Sequence, residues 1–256
     1  MTTEPEVIIS VKNGVKIFRD FWLRPHVTAL RDLTLDVRRG DVFGLLGPNG
    51  SGKSTTIKML LGLLKPTAGE VRIFGKPPHD PTVRARMGYL PELSFLHPFL
   101  TARETLRYYG GLCNLSRREA ASRADQLLEM LALTDVANRA VGGFSKGMAR
   151  RVALAASLVS KPELLILDEP TSGLDPISTN EVKTLVKGLA KNGMTILMSS
   201  HLLGDTQDIC NRFAILDRGE KKVEGHIEEL KESLNTFFLS QVGEGRDFDV
   251  APFLAS

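Results

Sequence analysis

The sequence has little cysteine and little net charge, and each shortage narrows the class of protein. Its 256 residues include two cysteines, Cys113 and Cys210, which lie far apart and belong to no CxxC or CxxH pattern. Such isolated thiols indicate buried or idle cysteines in a reducing compartment. The formal net charge is only +3, so composition gives no case for nucleic-acid binding, and we expect no nucleic-acid partner.

Long apolar runs are also missing. The longest candidate, 152–159, is far shorter than the ~18 apolar residues that a membrane span requires. The N-terminal sequence MTTEPEVIIS lacks the basic region and apolar core of a signal peptide. We therefore expect a cytosolic chain that cannot cross a membrane by itself. Its 42% apolar and 25% charged residues are typical of a globular protein with a sizeable core.

The apolar pattern changes along the chain from strand-like to helical and back. Leu33, Leu35 and Val37 alternate with polar residues, which is typical of a half-buried strand. The other predicted elements are strands at 42–46, 70–74, 164–167 and 195–198 and a helix at 55–64. Capping-box sequences predict helix starts at Thr101–Glu104, Ser116–Glu119 and Ser178–Glu181.

Alternation of strands and helices predicts an α/β fold, a mainly parallel sheet covered by helices. The stretch 95–141 reads as an inserted helical subdomain of a domain that spans 1–234. The tail, 235–256, has weak periodicity and receives no assignment.

A glycine-rich segment follows the predicted strand at 42–46 and precedes a helix. It reads GPNGSGKS from Gly47 to Ser54 and matches the P-loop pattern GxxxxGK[ST]. Glycines let a backbone wrap around phosphates, and consecutive N–H groups at a helix start attract anions. Lys53 can reach the β- and γ-phosphates, and the Ser54 hydroxyl can bind Mg²⁺. The motif predicts a nucleotide site without distinguishing ATPases from GTPases or small kinases.

An acidic pair stands at the end of the buried strand predicted at 164–167. Asp168 follows this strand directly, and Glu169 comes next. Ligands of α/β sheets bind beyond the carboxyl ends of the strands, so Asp168 is a candidate Mg²⁺ ligand. Glu169 is our candidate general base for a water that attacks the γ-phosphate. A solvated Asp-Glu pair is the alternative, and the P-loop in the same chain argues against it.

In order and spacing, these motifs resemble the nucleotide-binding subunit of ABC transporters over 7–230, nearly the whole chain. The matching segments are the Walker A loop at 47–55, Walker B with its catalytic glutamate at 164–169, the signature position at 144–148 (FSKGM in place of LSGGQ) followed by Arg151, the D-loop at 172–175 and the switch histidine His201. Any one motif alone would be weak evidence, whereas the five in this order are highly specific.

The resemblance implies a P-loop NTPase core with an N-terminal antiparallel β subdomain and the inserted helical subdomain. It also implies that two such subunits pack head to tail around two ATP molecules, either as a homodimer or with a paralogous ATPase. Each ATP would contact the Walker A loop of one chain and the signature of the other. Ser145 and the Gly147 N–H would then bind the γ-phosphate in trans, while Ser145 also caps its helix.

Further site residues follow from the same resemblance. The nucleotide contacts implied for the Walker A loop are Asn49, Gly50, Ser51, Gly52, Lys53, Ser54 and Thr55. His201 would contact the γ-phosphate and help to hold the attacking water, so that Lys53, Glu169 and His201 form the implied catalytic set. Phe18 fits the aromatic residue that stacks on adenine. Phe21 or Trp22 could serve instead. A further alternative is that the aromatic residue packs in the core and does not contact adenine.

Two positions depart from the general family. Glu92 stands where the Q-loop glutamine is expected, and it can still hold a Mg²⁺-bound water while adding charge near the γ-phosphate. Lys146 replaces a glycine of the signature, and it could attract phosphate or point to solvent. Both departures resemble the type-2 exporter branch, whose ATPase is a separate chain beside a separate membrane subunit.

We therefore expect the ATP-hydrolysing subunit of an exporter, using ATP and Mg²⁺, at the cytoplasmic face of the membrane. Its partners would be a second ATPase chain and an integral membrane permease, docked in the groove between the Glu92 loop and the helical block. A soluble ABC ATPase of DNA repair or translation and a nucleotide-sensing module are the alternatives. The transported cargo does not follow from the sequence.

Overall fold

A computed structural model describes residues 5–20, 22 and 24–243. The strands, numbered in chain order, are β1 (Val7–Arg19), β2 (Pro25–Arg38), β3 (Val42–Leu46), β4 (Ala68–Ile73), β5 (Met87–Leu90), β6 (Leu164–Asp168), β7 (Thr195–Ser200), β8 (Arg212–Asp217) and β9 (Glu220–His226). The α-helices are α1 (Lys53–Leu60), α2 (Pro81–Arg84), α3 (Ala102–Leu112), α4 (Arg117–Met130), α5 (Lys146–Leu158), α6 (Pro176–Lys191), α7 (Leu203–Ile209) and α8 (Leu234–Val242).

The strands form two sheets. One is antiparallel with the order β2-β1-β4, and the other has the order β5-β6-β7-β3-β8-β9. In the larger sheet all neighbours are parallel except β8 and β9, which are antiparallel. The predicted α/β class, with a mainly parallel sheet and a separate N-terminal antiparallel sheet, is confirmed.

Two apolar layers enclose the larger sheet. One face carries Leu165, Leu167 and Ile196, which pack against the buried sides of α3 to α6. The other face carries Leu164, Ile166 and other residues that pack against α1 and the antiparallel sheet. Strands β3, β6 and β7 are buried along their whole length, as expected for strands covered on both faces.

The helical block between β5 and β6 begins as the capping boxes predict. Thr101 caps α3 and Ser116 caps α4, and in each case the glutamate three residues later bonds back to the capping residue's N–H. Helices α3 and α4 pack against one another and against α5. The block therefore stands beside the sheet edge at β5 and leads directly into α5.

Some element boundaries differ from prediction. The capping box proposed at Ser178–Glu181 is wrong, because α6 starts earlier, with Asp175 as N-cap and Pro176 in the first helical position. Aspartate followed by proline is a strong helix start, since the carboxylate accepts from Ile177 and Ser178 N–H groups. The helix predicted at 55–64 is α1, which begins at Lys53 inside the glycine loop and ends at Leu60.

The tail contains a helix that its weak periodicity did not predict. Helix α8 packs on the sheet, and the Phe237 ring meets the buried Phe213 edge to face, with centroids 5.9 Å apart. The rest of the predicted tail, 244–256, lies outside the described residues. In the part of the chain that the structure describes, every helix is too short or too polar to cross a membrane.

Candidate functional site

The glycine loop joins the central strand β3 to α1, and its shape depends on glycine. Gly52 precedes the helix with φ of 110°, and a Cβ there would lie 2.7 Å from Leu30 and 2.9 Å from the Ala29 carbonyl oxygen. Any larger residue would therefore strain the backbone and collide with β2. The loop presents the N-terminus of α1, where free N–H groups favour an anion.

Lys53 lies over this loop with its ammonium group turned inward. Its Nζ donates to the Gly47 carbonyl at 2.6 Å and to the Pro48 carbonyl at 3.2 Å. Burial lowers the pKa of Lys53, while the nearby carboxylates of Glu169, Asp168 and Glu92 act in the opposite direction. The lysine is thus the cation in a site that otherwise carries acidic side chains.

One serine hydroxyl connects the Asp168 carboxylate with the backbone N–H of Glu169 at the end of β6. Ser199 on β7 lies opposite Asp168 in the parallel ladder. Its Oγ donates to Asp168 Oδ1 at 2.6 Å and accepts from the Glu169 N–H at 3.1 Å. Ser199 is fully buried, and both carboxylate residues are less than a tenth exposed. Sequence reasoning missed this serine, although it occupies the same strand end as His201.

Glu169 and His201 are in direct contact. The Nδ1 atom of His201 lies 2.8 Å from Glu169 Oε2. This contact is a hydrogen bond when Nδ1 carries the ring proton and the carboxylate oxygen accepts it. Glu169 itself has φ of 47°, a left-handed conformation that is uncommon for a residue with a side chain. The turn after β6 therefore holds this carboxylate in a strained position toward β7.

A single cavity of about 420 Å³ collects most of the residues predicted for the nucleotide site. Those lining it are Phe18, Asn49, Gly50, Ser51, Gly52, Lys53, Ser54, Thr55, Glu92, Glu169 and His201. Asp168, the residue before Glu169, is not among the lining residues. Of the aromatic candidates, Phe18 lines the cavity, Trp22 is 71% exposed, and Phe21 lies outside the described residues.

The predicted signature residues lie on a different surface from this cavity. Ser145 is the N-cap of α5, and its Oγ accepts from the Met148 N–H at 3.2 Å. Lys146 is exposed at this helix start, whereas Gly147 is buried. A Cβ on Gly147 would lie 2.0 Å from Ser178 Oγ, so α5 and α6 touch where glycine leaves room.

Arg150 is a functional candidate that sequence reasoning missed. It is 6% exposed, and its guanidinium reaches the backbone carbonyls of Asp168 and Glu169. Burial lowers the pKa of Arg150 to about 10, so the group stays charged at neutral pH. Arg151, which the resemblance implied, instead bonds the Leu131 carbonyl and lies near Glu181. The available signal was position, because Arg150 falls three residues after Gly147 and four before Leu154 on the buried face of α5.

An apolar groove of about 320 Å³ lies beside the Glu92 loop and the helical block. We call it the α3–α5 groove. Its lining includes Tyr89, Pro91, Leu96, Tyr109 and Cys113. Large apolar side chains are exposed at the same loop, with Phe95 82% and Leu93 66% exposed. Exposed apolar patches of this kind are candidate interaction surfaces.

Comparison with known proteins agrees with this geometry. The family model described as ABC transporter matches residues 30–172. The daunorubicin/doxorubicin resistance ATP-binding protein of Streptomyces peucetius is 39% identical over 92% of this chain and 70% of its own length. The linearmycin resistance ATP-binding protein of Bacillus subtilis is 41% identical over 75% of this chain and 63% of its own length. A solved ATP-binding subunit of an ABC transporter is 31% identical, with a TM-score of 0.79 over 91% of this chain and 99% of that one.

The fold and site define a P-loop ATPase. The chain belongs to the ABC transporter family, as an ATP-binding and ATP-hydrolysing subunit.

The contact between Gly147 and Ser178 can be tested by stability. We expect Gly147→Ala to lower the free energy of unfolding by about 1–3 kcal/mol, because the added methyl overpacks the α5–α6 contact. Ser178→Gly in the same chain should recover part of that loss. Gly143→Ala is the matched control, since a Cβ at Gly143 meets no atom within 4 Å. Urea unfolding followed by circular dichroism measures the wild type and the three variants, and equal effects of the two alanines would contradict the contact.

Proposed function

We propose that this chain powers an exporter by hydrolysing ATP in a head-to-tail dimer, docked on a separate membrane subunit. The observation that carries the hydrolytic part is the Glu169–His201 pair, which faces the same cavity as the glycine loop. A module that only senses nucleotide has no use for a base and its orienting histidine at the phosphate end. This pair therefore favours turnover over sensing.

In the proposed mechanism, phosphates lie in the glycine loop and Lys53 balances their charge. Glu169 accepts the proton of the attacking water. His201 donates from Nδ1 to Glu169, which leaves Nε2 free to face the γ-phosphate or the water. Catalysis of this type relies on positioning and charge stabilisation more than on covalent chemistry. Phe18 is proposed to stack on adenine.

The donor set near the glycine loop suits Mg²⁺. Ser54, Asp168 and Glu92 offer hydroxyl and carboxylate oxygens, the ligand atoms that Mg²⁺ prefers. Among the described residues, no three His, Cys, Asp or Glu side chains are grouped closely enough to hold a metal alone. This agrees with an ion shared between a few protein oxygens and the phosphates of a nucleotide. Bound there, Mg²⁺ would neutralise charge on the β- and γ-phosphates.

A trans arrangement accounts for the separate position of the signature residues. Ser145 is exposed at the start of α5, where the first helical N–H groups lack partners within the helix. A partner's γ-phosphate would be bound there by the Ser145 hydroxyl and the Gly147 N–H. One relative in structure is a dimeric ATP-binding cassette in a post-hydrolysis state bound to ADP and Pi, 28% identical with a TM-score of 0.77 over 86% of this chain and 99% of that one.

The proposed export role rests on the resistance and Nod factor export proteins among the relatives. The α3–α5 groove is the proposed docking site of the membrane subunit, which places the chain at the cytoplasmic face of the membrane. An apolar helix of that subunit would cover Phe95 and the groove floor. Soluble ABC ATPases of DNA repair or translation are the alternative, and they have no need of such a partner.

Replacing the base should separate binding from turnover. We expect Glu169→Gln to bind ATP, to lower kcat at least about 100-fold, and to accumulate as a closed dimer with ATP. The reason is that glutamine keeps the shape of the side chain and cannot take the proton. Phosphate release and size-exclusion chromatography measure the two effects, with Lys53→Ala as the variant that should lose nucleotide binding. Hydrolysis by Glu169→Gln at the normal rate would refute the base assignment.

Mixing two inactive variants tests the trans arrangement. Lys53→Ala and Ser145→Ala should each be inactive as homodimers. After mixing, each heterodimer contains one site with both defects and one intact site, so activity should return to at most about a quarter of the wild-type value. The measurement is ATPase rate against mixing ratio. A mixture that stays inactive at every ratio contradicts the trans contact.

Cysteine labelling tests the docking site. Cys113 is exposed beside the α3–α5 groove, and Cys210 is buried. We expect the membrane subunit to slow maleimide labelling of Cys113 by at least about tenfold, because its docked helix would cover the groove. A Cys113→Ser chain carrying Ser122→Cys on α4 is the control and should label at an unchanged rate. Equal labelling of Cys113 with and without the membrane subunit would exclude this groove.

A further inference from the structure

Arg150 lies between two segments that meet the nucleotide cavity from different sides. On one side its Nη2 donates to the Asp168 and Glu169 carbonyls at 2.9 and 2.8 Å. Its Nε donates to the Pro170 carbonyl at 2.9 Å. Three consecutive carbonyls of the turn after β6 are therefore directed at one guanidinium.

On the other side the same guanidinium holds the loop after β5. Its Nη1 donates to the Pro91 carbonyl, lies 3.0 Å from the Glu92 carbonyl and lies 3.1 Å from Ser94 Oγ. This loop carries Glu92 into the nucleotide cavity and also borders the α3–α5 groove through Pro91 and Ser94.

We propose that Arg150 is a positioning residue, a clamp that sets Glu169 relative to Glu92 and passes a shift of the groove loop to the catalytic turn. The proposal rests on the function proposed above for Glu169 and the groove. A planar guanidinium with donors in fixed directions can hold both segments at once, which an ammonium cannot. We call this contact set the Arg150 clamp.

The conformation of Glu169 gives the clamp a second role. A left-handed backbone conformation at a residue other than glycine is strained, and it persists only where contacts with the surrounding structure hold it in place. Here the Glu169 N–H is held by Ser199 and its carbonyl by Arg150. Without the Arg150 guanidinium, the carbonyl side of this turn would lose its hydrogen bond. The Glu169 carboxylate could then move away from the position proposed for the attacking water.

Arg150→Lys on the full chain tests the clamp. The lysine keeps the charge and much of the length but cannot span both segments. We expect the kcat of the folded chain, assayed below its unfolding midpoint, to fall about 10- to 100-fold, the cost of a misplacement on the order of 1 Å, while KM for ATP stays near wild type. The unfolding midpoint should also fall, because buried carbonyls lose their donors. Arg151→Lys is the matched control on the same helix, and it should leave kcat unchanged because Arg151 contacts neither segment.

A cycle with Glu92 distinguishes positioning from general destabilisation. If the clamp sets Glu92, the losses in kcat from Arg150→Lys and Glu92→Ala should be less than multiplicative when combined. Ser94→Ala, which removes one contact of the clamp, should give a smaller loss with the same coupling to Glu92→Ala. If Arg150→Lys fails to fold, the Ser94 cycle decides alone.

Losses that multiply, or an Arg150→Lys chain that behaves like Arg151→Lys, would overturn the clamp. A higher KM for ATP with an unchanged kcat would also overturn it, because that result indicates weaker ATP binding rather than a misplaced catalytic group. A wild-type chain without ATPase activity would instead refute the proposed function. The two failures are therefore distinguishable in one set of assays.

Discussion

The parallel pairing of β3, β7 and β6 is the constraint on which the site depends. Strand β7 lies between the other two, with Ser200 opposite Leu46 and Ser199 opposite Asp168. A slip of one residue would turn every side chain of β7 to the other face, and the Ser199 hydroxyl would lose both the Asp168 carboxylate and the Glu169 N–H. Burial on both faces prevents such a slip, because it would expose or mispack a continuous apolar strand. Packing of the apolar side chains thus fixes the strand register, and the register in turn fixes the distances between the polar groups at the strand ends.

Side chains of neighbouring elements hold the backbone of the catalytic turn. A left-handed residue such as Glu169 costs on the order of 1–3 kcal/mol. A hydrogen bond to a neutral group returns about 0.5–1.5 kcal/mol and one to a charged group about 1.5–3. The bonds of Glu169 to Ser199 and Arg150 are together sufficient to offset the strain. The carboxylate is therefore held before any nucleotide is considered, which suits chemistry that depends on position.

Sequence reasoning predicted the strands and the glycine loop because their signals are local. The run 42–46 is apolar throughout, and a chain of that kind followed by GxxxxGK[ST] has few alternative folds. The start of α6 was misplaced because Ser178–Glu181 matches the capping-box pattern, whereas the helix uses a different start signal, an aspartate N-cap followed by proline. Arg150 was missed for another reason. Its role depends on carbonyls from two distant segments, and only the folded sheet brings those together.

The contact of Gly147 with Ser178 has a consequence for how such sequences change over time. Ser178 leaves no room for a methyl group at Gly147 between α5 and α6, so position 147 can gain volume only if position 178 loses it. A substitution at position 147 is then tolerated only with a suitable residue at position 178. A chimera that takes α5 from one relative and α6 from another combines two residues at these positions that were not selected together. At the α5–α6 interface, helices from different relatives are therefore not freely interchangeable.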